Sequence, residues 1–119
     1  MIANVLVGRV AAIHIYILIV EMFLWTKPYG RRVFGNEAVF ATATEVMAAN
    51  QGLYNGFLAA GLIWGLMLGP AGHAVQLFFL GCVFAAGLYG AATVSRRIFF
   101  VQCVPSALTA AAVVFRPGG

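Results

Sequence analysis

Apolar residues gather in four windows along the chain, at about residues 3–25, 46–68, 74–94 and 98–115, and the stretches between them hold most of the charge and proline. Each window approaches the ~20 residues a helix needs to cross roughly 30 Å of hydrocarbon at 1.5 Å per residue. The pattern predicts an all-α, polytopic membrane protein, a four-helix transmembrane bundle forming a single transmembrane domain over residues 1–119. The breaks between windows are legible too. Lys27-Pro28 should end the first helix, because proline disfavours the helical state of the residue before it, and Pro28-Tyr29-Gly30 reads as a turn. Asn36 is a plausible N-cap ahead of Glu37, from which a helix can run into Val46 and expose Thr42, Thr44 and Glu45 to water. Gly69-Pro70-Ala71-Gly72 and Ser95-Arg96-Arg97 are short links, so sequence neighbours should pack antiparallel.

Polar residues interrupt the windows at particular heights. His14 and Glu21 stand seven apart on the first helix, within about 20° of one another at 100° per residue. On the second, Asn50, Gln51, Tyr54 and Asn55 fan over about 140° of the surface, while Gly52 and Gly56 take the other side. Gln102, Ser106 and Thr109 share a face of the fourth helix, next to Pro105, whose missing donor should bend it. Counted from the nearest charged or polar boundary residue, Glu21, Asn50, Gln51, Tyr89 and Gln102 all fall about 8 to 9 Å into the apolar layer at 1.5 Å per residue. His14 lies about 10 Å deeper than Glu21 and would floor that layer.

The amides are read first as hydrogen-bonding glue between helices. The carboxyl is different, because an acidic side chain in a span costs about 2.5 to 3.5 kcal/mol, so Glu21 is read as functional, with His14 joined to it by their shared stripe. The candidate ligand-binding residues are Glu21, His14, Asn50, Gln51, Tyr54, Asn55 and Gln102, and the ligand class they predict is a small amphiphile or lipid, above all a cationic one. No catalytic residue is assigned. No metal and no cofactor is expected: the cysteines lack metal spacing, and a heme at His14 would need a second axial ligand at its depth, whereas His73 lies at the opposite boundary. Gln76, near the outer end of the third helix, is set apart from the layer. Cys82 and Cys103 are offset by about 10 Å along their helices, too far for a disulfide.

Composition removes the soluble alternative. The chain is 63% hydrophobic and 8% charged, where a soluble domain carries about 25% charged residues. Seven Lys and Arg face three acidic residues, all Glu, for a formal charge of +4. Lys27, Arg31, Arg32, Arg96 and Arg97 flank the first and third links, against Arg9 and Arg116 on the other side. That bias predicts a plasma-membrane protein with cytoplasmic basic links and external termini, its charge directed at membrane lipids rather than nucleic acid. The first window has its bases after it, an order that argues against a cleaved signal peptide. Gly52 and Gly56, like Gly61 and Gly65, have the spacing at which helix backbones approach closely, either within the chain or in a homo-oligomer.

The segments His14-Ile15-Tyr16-Ile17, Glu21-Met22-Phe23-Leu24-Trp25 and Ala49-Asn50-Gln51-Gly52-Leu53-Tyr54-Asn55-Gly56-Phe57 resemble small four-span bacterial membrane proteins grouped as a family of unknown function. The resemblance supports topology and lends no site roles. Small multidrug exporters and membrane isomerases are similar in outline only, as short helical chains with a membrane carboxyl. A ligand-binding bundle is the leading reading, beside a proton-coupled transporter using Glu21, a lipid-modifying enzyme and a structural or interaction subunit.

Overall fold

The computed structural model describes residues 1–116, and the elements among them are all helical. Helix α1 (Ile2–Ile19) continues through a π-helical turn, Val20–Leu24, and is followed by the short helices α2 (Pro28–Phe34) and α3 (Ala38–Ala43). Helix α4 (Glu45–Met67) leads through a 3-10 turn, Gly69–Gly72, to α5 (His73–Thr93), and a second π-helical turn, Phe99–Cys103, opens α6 (Val104–Val114). The expected external C-terminus falls in residues 117–119, outside the described residues.

Two helical stretches, Ile2–Leu24 and Gly69–Thr93, are long and apolar enough to cross a membrane. Helix α4 has the length, but Asn50, Gln51 and Asn55 dilute its apolar character. The stretch Phe99–Val114 is apolar but shorter.

Three local expectations are corrected. Pro28-Tyr29-Gly30 is the first turn of a helix rather than a connecting turn: Lys27 is extended (φ −80°, ψ 157°) as its proline demands, and Pro28 then occupies a position where no backbone donor is needed. The next helix is capped by Glu37, without a side-chain bond, instead of by Asn36. Asn36 is already committed, because its N–H donates to the Arg31 carbonyl (2.9 Å) and, with Gly35 left-handed at φ 69°, closes α2. Helices α3 and α4 are distinct, broken at Thr44 (φ −110°, ψ 10°). Pro105 falls in the first turn of α6, directly after the π-helical turn, where the Val104 N–H reaches back five residues to the Phe99 carbonyl.

The chain divides into two compact units. One comprises residues 1–12 and the chain from Leu58 onward. Its core is aliphatic: Val7 and Val10 of α1, Leu62 of α4, Leu80 and Val83 of α5, and Val113 of α6 are buried. Close helix approach is set by glycine. A Cβ at Gly87 on α5 would stand 2.7 Å from the Cys103 Sγ, and one at Gly65 on α4 would stand 2.7 Å from the Gln76 Cγ. Both pairs lie equidistant from the links at Ser95 and at Pro70, as antiparallel helical hairpins require.

Gln76 is buried in this unit, with its Nε2 donating to the Gly65 carbonyl at 3.2 Å and its Oε1 accepting from Arg116 Nη2 at 3.1 Å. Gly65 lies in the last turn of α4, where carbonyls lack helical partners, so the Gln76 amide serves as a C-terminal cap delivered by the next helix. Gln76→Ala should therefore lower stability by about 1 to 3 kcal/mol, because it strands a buried acceptor. Thermal unfolding in detergent checks this, and an unchanged melting temperature would show that the cap contributes nothing.

The second unit, Ile13–Phe57, holds the end of α1, α2, α3 and the first half of α4. Pairs about Glu37 are again equidistant. A Cβ at Gly56 would meet Leu18 Cδ1 at 2.6 Å, and one at Gly52 would meet Met22 Cγ at 2.6 Å. In each unit large apolar side chains also face outward, among them Phe23 and Phe57 in this one and Trp64, Phe78 and Leu108 in the other.

Candidate functional site

The seam between α1 and α4 within the Ile13–Phe57 unit positions the carboxyl singled out above. Glycine at 52 removes the Cβ that would otherwise stand 3.2 Å from both the Glu21 Cβ and the Leu18 carbonyl. The two backbones close to a distance no larger residue permits, which brings a short polar side chain on α4 within reach of α1. Glu21 accepts a hydrogen bond from Asn55 Nδ2 at 2.8 Å, and the same amide donates to the Gln51 carbonyl on its own helix at 3.1 Å. Asn55 is thereby held in one orientation, aimed at Glu21. The carboxyl belongs to the π-helical turn Val20–Leu24, a local widening that is frequent at functional sites because the extra residue re-aims neighbouring side chains.

The other candidates are placed differently. His14 is buried on α1, two turns before Glu21. Asn50, Gln51 and Tyr54 stand exposed on α4, where the Tyr54 ring meets Phe57 edge-on at 6.0 Å. Gln102 lies half-buried in the second π-helical turn, within the other unit. In that same unit the buried Ser106 hydroxyl is spent on its own helix, donating to the carbonyls of Gln102 (2.5 Å) and Cys103 (3.1 Å). Tyr89 is exposed. Within the expected polar layer the structure forms a direct contact between Glu21 and Asn55.

The end of the unit beside Glu21 is closed by residues that the sequence analysis left outside the candidate site. Trp25 Nε1 donates to Thr44 Oγ1 at 3.0 Å, whose hydroxyl donates in turn to the Phe40 carbonyl at 2.8 Å. The Trp25 ring packs on Phe34 with centroids 5.1 Å apart. The Tyr16 and Tyr29 hydroxyls lie 2.5 Å apart, and buried Gly30 sits where any Cβ would collide with the Leu24 carbonyl. Helix α2 is thus folded back on the π-helical turn. The signal for this was present in Pro28 and Gly30, whose spacing fits a helix start and a close contact as well as a turn. Gln76 had a comparable signal, since it mirrors Gly65 across the Gly69–Gly72 turn. Among the described residues no group of three or more His, Cys, Asp or Glu could hold a metal ion.

A family described as a protein of unknown function, DUF1304, matches residues 8–114. The chain belongs to this family. A relative, the uncharacterized protein YpaA of Lactococcus lactis subsp. lactis (strain IL1403), is 30% identical over 89 residues, covering 73% of this chain and 75% of that protein. No solved structure matches. The DUF1304 match spans both units, and it includes Glu21, Gly52 and Asn55 together with both π-helical turns.

Proposed function

We propose that this DUF1304 protein is a four-span integral membrane protein that binds a small cationic amphiphile through Glu21. The observation that carries the reading is the Glu21 and Asn55 pair. The carboxyl is half-buried beside a glycine-closed seam, and its hydrogen-bond partner is a neutral amide. An amide orients a carboxylate without cancelling its charge, so the group keeps the capacity to balance a cation from the apolar phase. Phe23 and Phe57 flank the seam with outward-facing apolar surface, suited to the tail of such a ligand. Asn50, Gln51 and Tyr54 offer further polar contacts along the exposed side of α4. His14, on the same helix as Glu21, is the candidate for a proton partner if binding is coupled to transport.

Exposed Phe, Trp, Leu and Ile on helices of this composition support lipid as the surrounding solvent, since soluble monomers rarely expose contiguous apolar surface of this extent. Single cysteines in a Cys82→Ala, Cys103→Ser background test the topology. Labels at Arg32 and Arg97 should react from the cytoplasmic side and a label at Ala71 from outside. If Arg32 and Ala71 shared a side, only Ile2–Leu24 and Gly69–Thr93 would cross, and the four-span reading would fall. For the ligand, titration of the detergent-purified chain with tetraphenylphosphonium should give saturable quenching of tryptophan fluorescence, with Trp25 one turn from Glu21. Equal quenching by a neutral analogue of the same size would remove the counter-ion role.

A further inference from the structure

Helix α2 carries chemistry that the Glu21 site does not use. Its N-cap and body contain Lys27, Arg31 and Arg32 with no acidic residue between Lys27 and Phe34. Lys27 and Arg32 are exposed, whereas Arg31 is half-buried. The Nε–H of Arg31 is itself buried and has no hydrogen-bond acceptor among the described residues. Arg32 stands with its guanidinium carbon 5.9 Å from the centroid of the Tyr29 ring, and the Tyr29 hydroxyl is tied to Tyr16 on α1. The helix is fixed from below as well, by Gly30 against the Leu24 carbonyl. These three cations are therefore displayed on a rigid, short helix that is anchored directly at the end of an apolar stretch.

A desolvated guanidinium N–H without an acceptor is costly, and guanidinium groups pair best with the paired oxygens of carboxylate or phosphate. Lys27 and Arg31 are four residues apart, one turn of the helix, so both can reach a single anion on that face. Aromatic residues at Trp25 and Tyr29 are the side chains that settle at the headgroup level of a bilayer. We propose that α2 is an interfacial helix on which Lys27, Arg31 and Arg32 bind the phosphate of an anionic phospholipid headgroup. The inference rests on the membrane reading above but is independent of the ligand at Glu21. The recognised chemistry is a phosphate oxygen, and the source is the lipid rather than free phosphate, because Tyr29 and the outward apolar side chain of Phe34 sit on α2, with the Trp25 ring packed against Phe34.

The test uses the full chain purified in a neutral detergent and follows its melting temperature as dioleoylphosphatidylglycerol, dioleoylphosphatidylcholine or inorganic phosphate is added. Phosphatidylglycerol should raise the melting temperature saturably, and phosphatidylcholine should not. Arg31→Gln should weaken the apparent lipid affinity about fivefold, the size expected for one interfacial cation, and Arg97→Gln should leave it unchanged. Arg31→Lys keeps the charge and removes the bare Nε–H, so it should fall between wild type and Arg31→Gln; it also replaces Arg31→Gln should that variant fail to fold. Equal response to both lipids, or equal loss from Arg31→Gln and Arg97→Gln, would overturn the site. An equivalent shift with inorganic phosphate would overturn the lipid as its source. Failure of the four-span topology shows separately, as an Arg32 and Ala71 label on one side of the bilayer.

Discussion

Gly52→Leu is expected to be the most destabilising of the glycine substitutions along the seam between α1 and α4. A Cβ there meets Met22 Cγ at 2.6 Å, and the Glu21 Cβ and the Leu18 carbonyl oxygen each at 3.2 Å. Met22 can rotate away, but the Leu18 carbonyl belongs to the α1 backbone and moves only if the helices part. Overpacking a helix contact of this kind costs about 1 to 3 kcal/mol, and here the separation would also stretch the Asn55 to Glu21 hydrogen bond. Gly56→Leu should cost less, because the close atom there is Leu18 Cδ1, the end of a flexible side chain. Gly81→Leu, with no atom near its would-be Cβ, should be tolerated. Melting temperatures of the three variants in one detergent should rank in that order. A Gly52→Leu protein as stable as Gly81→Leu would mean that the seam does not hold α1 against α4.

Glu21→Gln should produce the largest change in binding. The amide oxygen of glutamine still accepts from Asn55 Nδ2, so the contact between α1 and α4 persists, while the charge proposed to balance a cationic ligand is gone. Affinity for tetraphenylphosphonium should fall at least about tenfold, the loss of roughly 1.4 kcal/mol expected as a minimum for a partly desolvated counter-ion. The melting temperature should stay the same or rise, since a neutral isostere removes the cost of keeping an ionisable group in an apolar span. Asn55→Leu should do the reverse for stability, lowering it by about 1 to 3 kcal/mol by leaving the carboxyl without its donor. If Glu21→Gln melted far below wild type and kept its ligand, Glu21 would be a structural residue and the interaction-subunit reading would gain.

The two glycine seams and the lone carboxyl link these predictions to a common device. In each unit a π-helical turn carries a polar residue, Glu21 in one and Gln102 in the other, and a glycine on the adjoining helix faces it. A Cβ at Gly87 would lie 2.9 Å from the Gln102 Cβ, much as one at Gly52 would lie 3.2 Å from the Glu21 Cβ. Small residues opposite a widened helical turn let a polar side chain be held between closely spaced backbones without leaving its amide or carboxyl unsupported.

Helical class and the positions of the apolar stretches were determined by the sequence itself, because apolar run length acts locally and needs no partner to be interpreted. The short links likewise fixed which helices lie antiparallel. Glu21 stands out in the sequence for a local reason as well, because an ionisable side chain in an apolar run is costly wherever the run packs. Tertiary structure alone decided which amide meets that carboxyl. Depth and helical angle grouped Asn50, Gln51, Tyr54 and Asn55 together, yet only Asn55 has both the position beside Gly52 and the short reach to cross the seam, while the other three face outward. It also decided that Pro28 to Phe34 is a helix folded onto the Leu24 carbonyl, and that Gln76 is a buried cap. A period of 3.6 residues assigns a side chain to a face, whereas the distance between two faces depends on the atoms missing from both, and those are known only once the partner helix is in place.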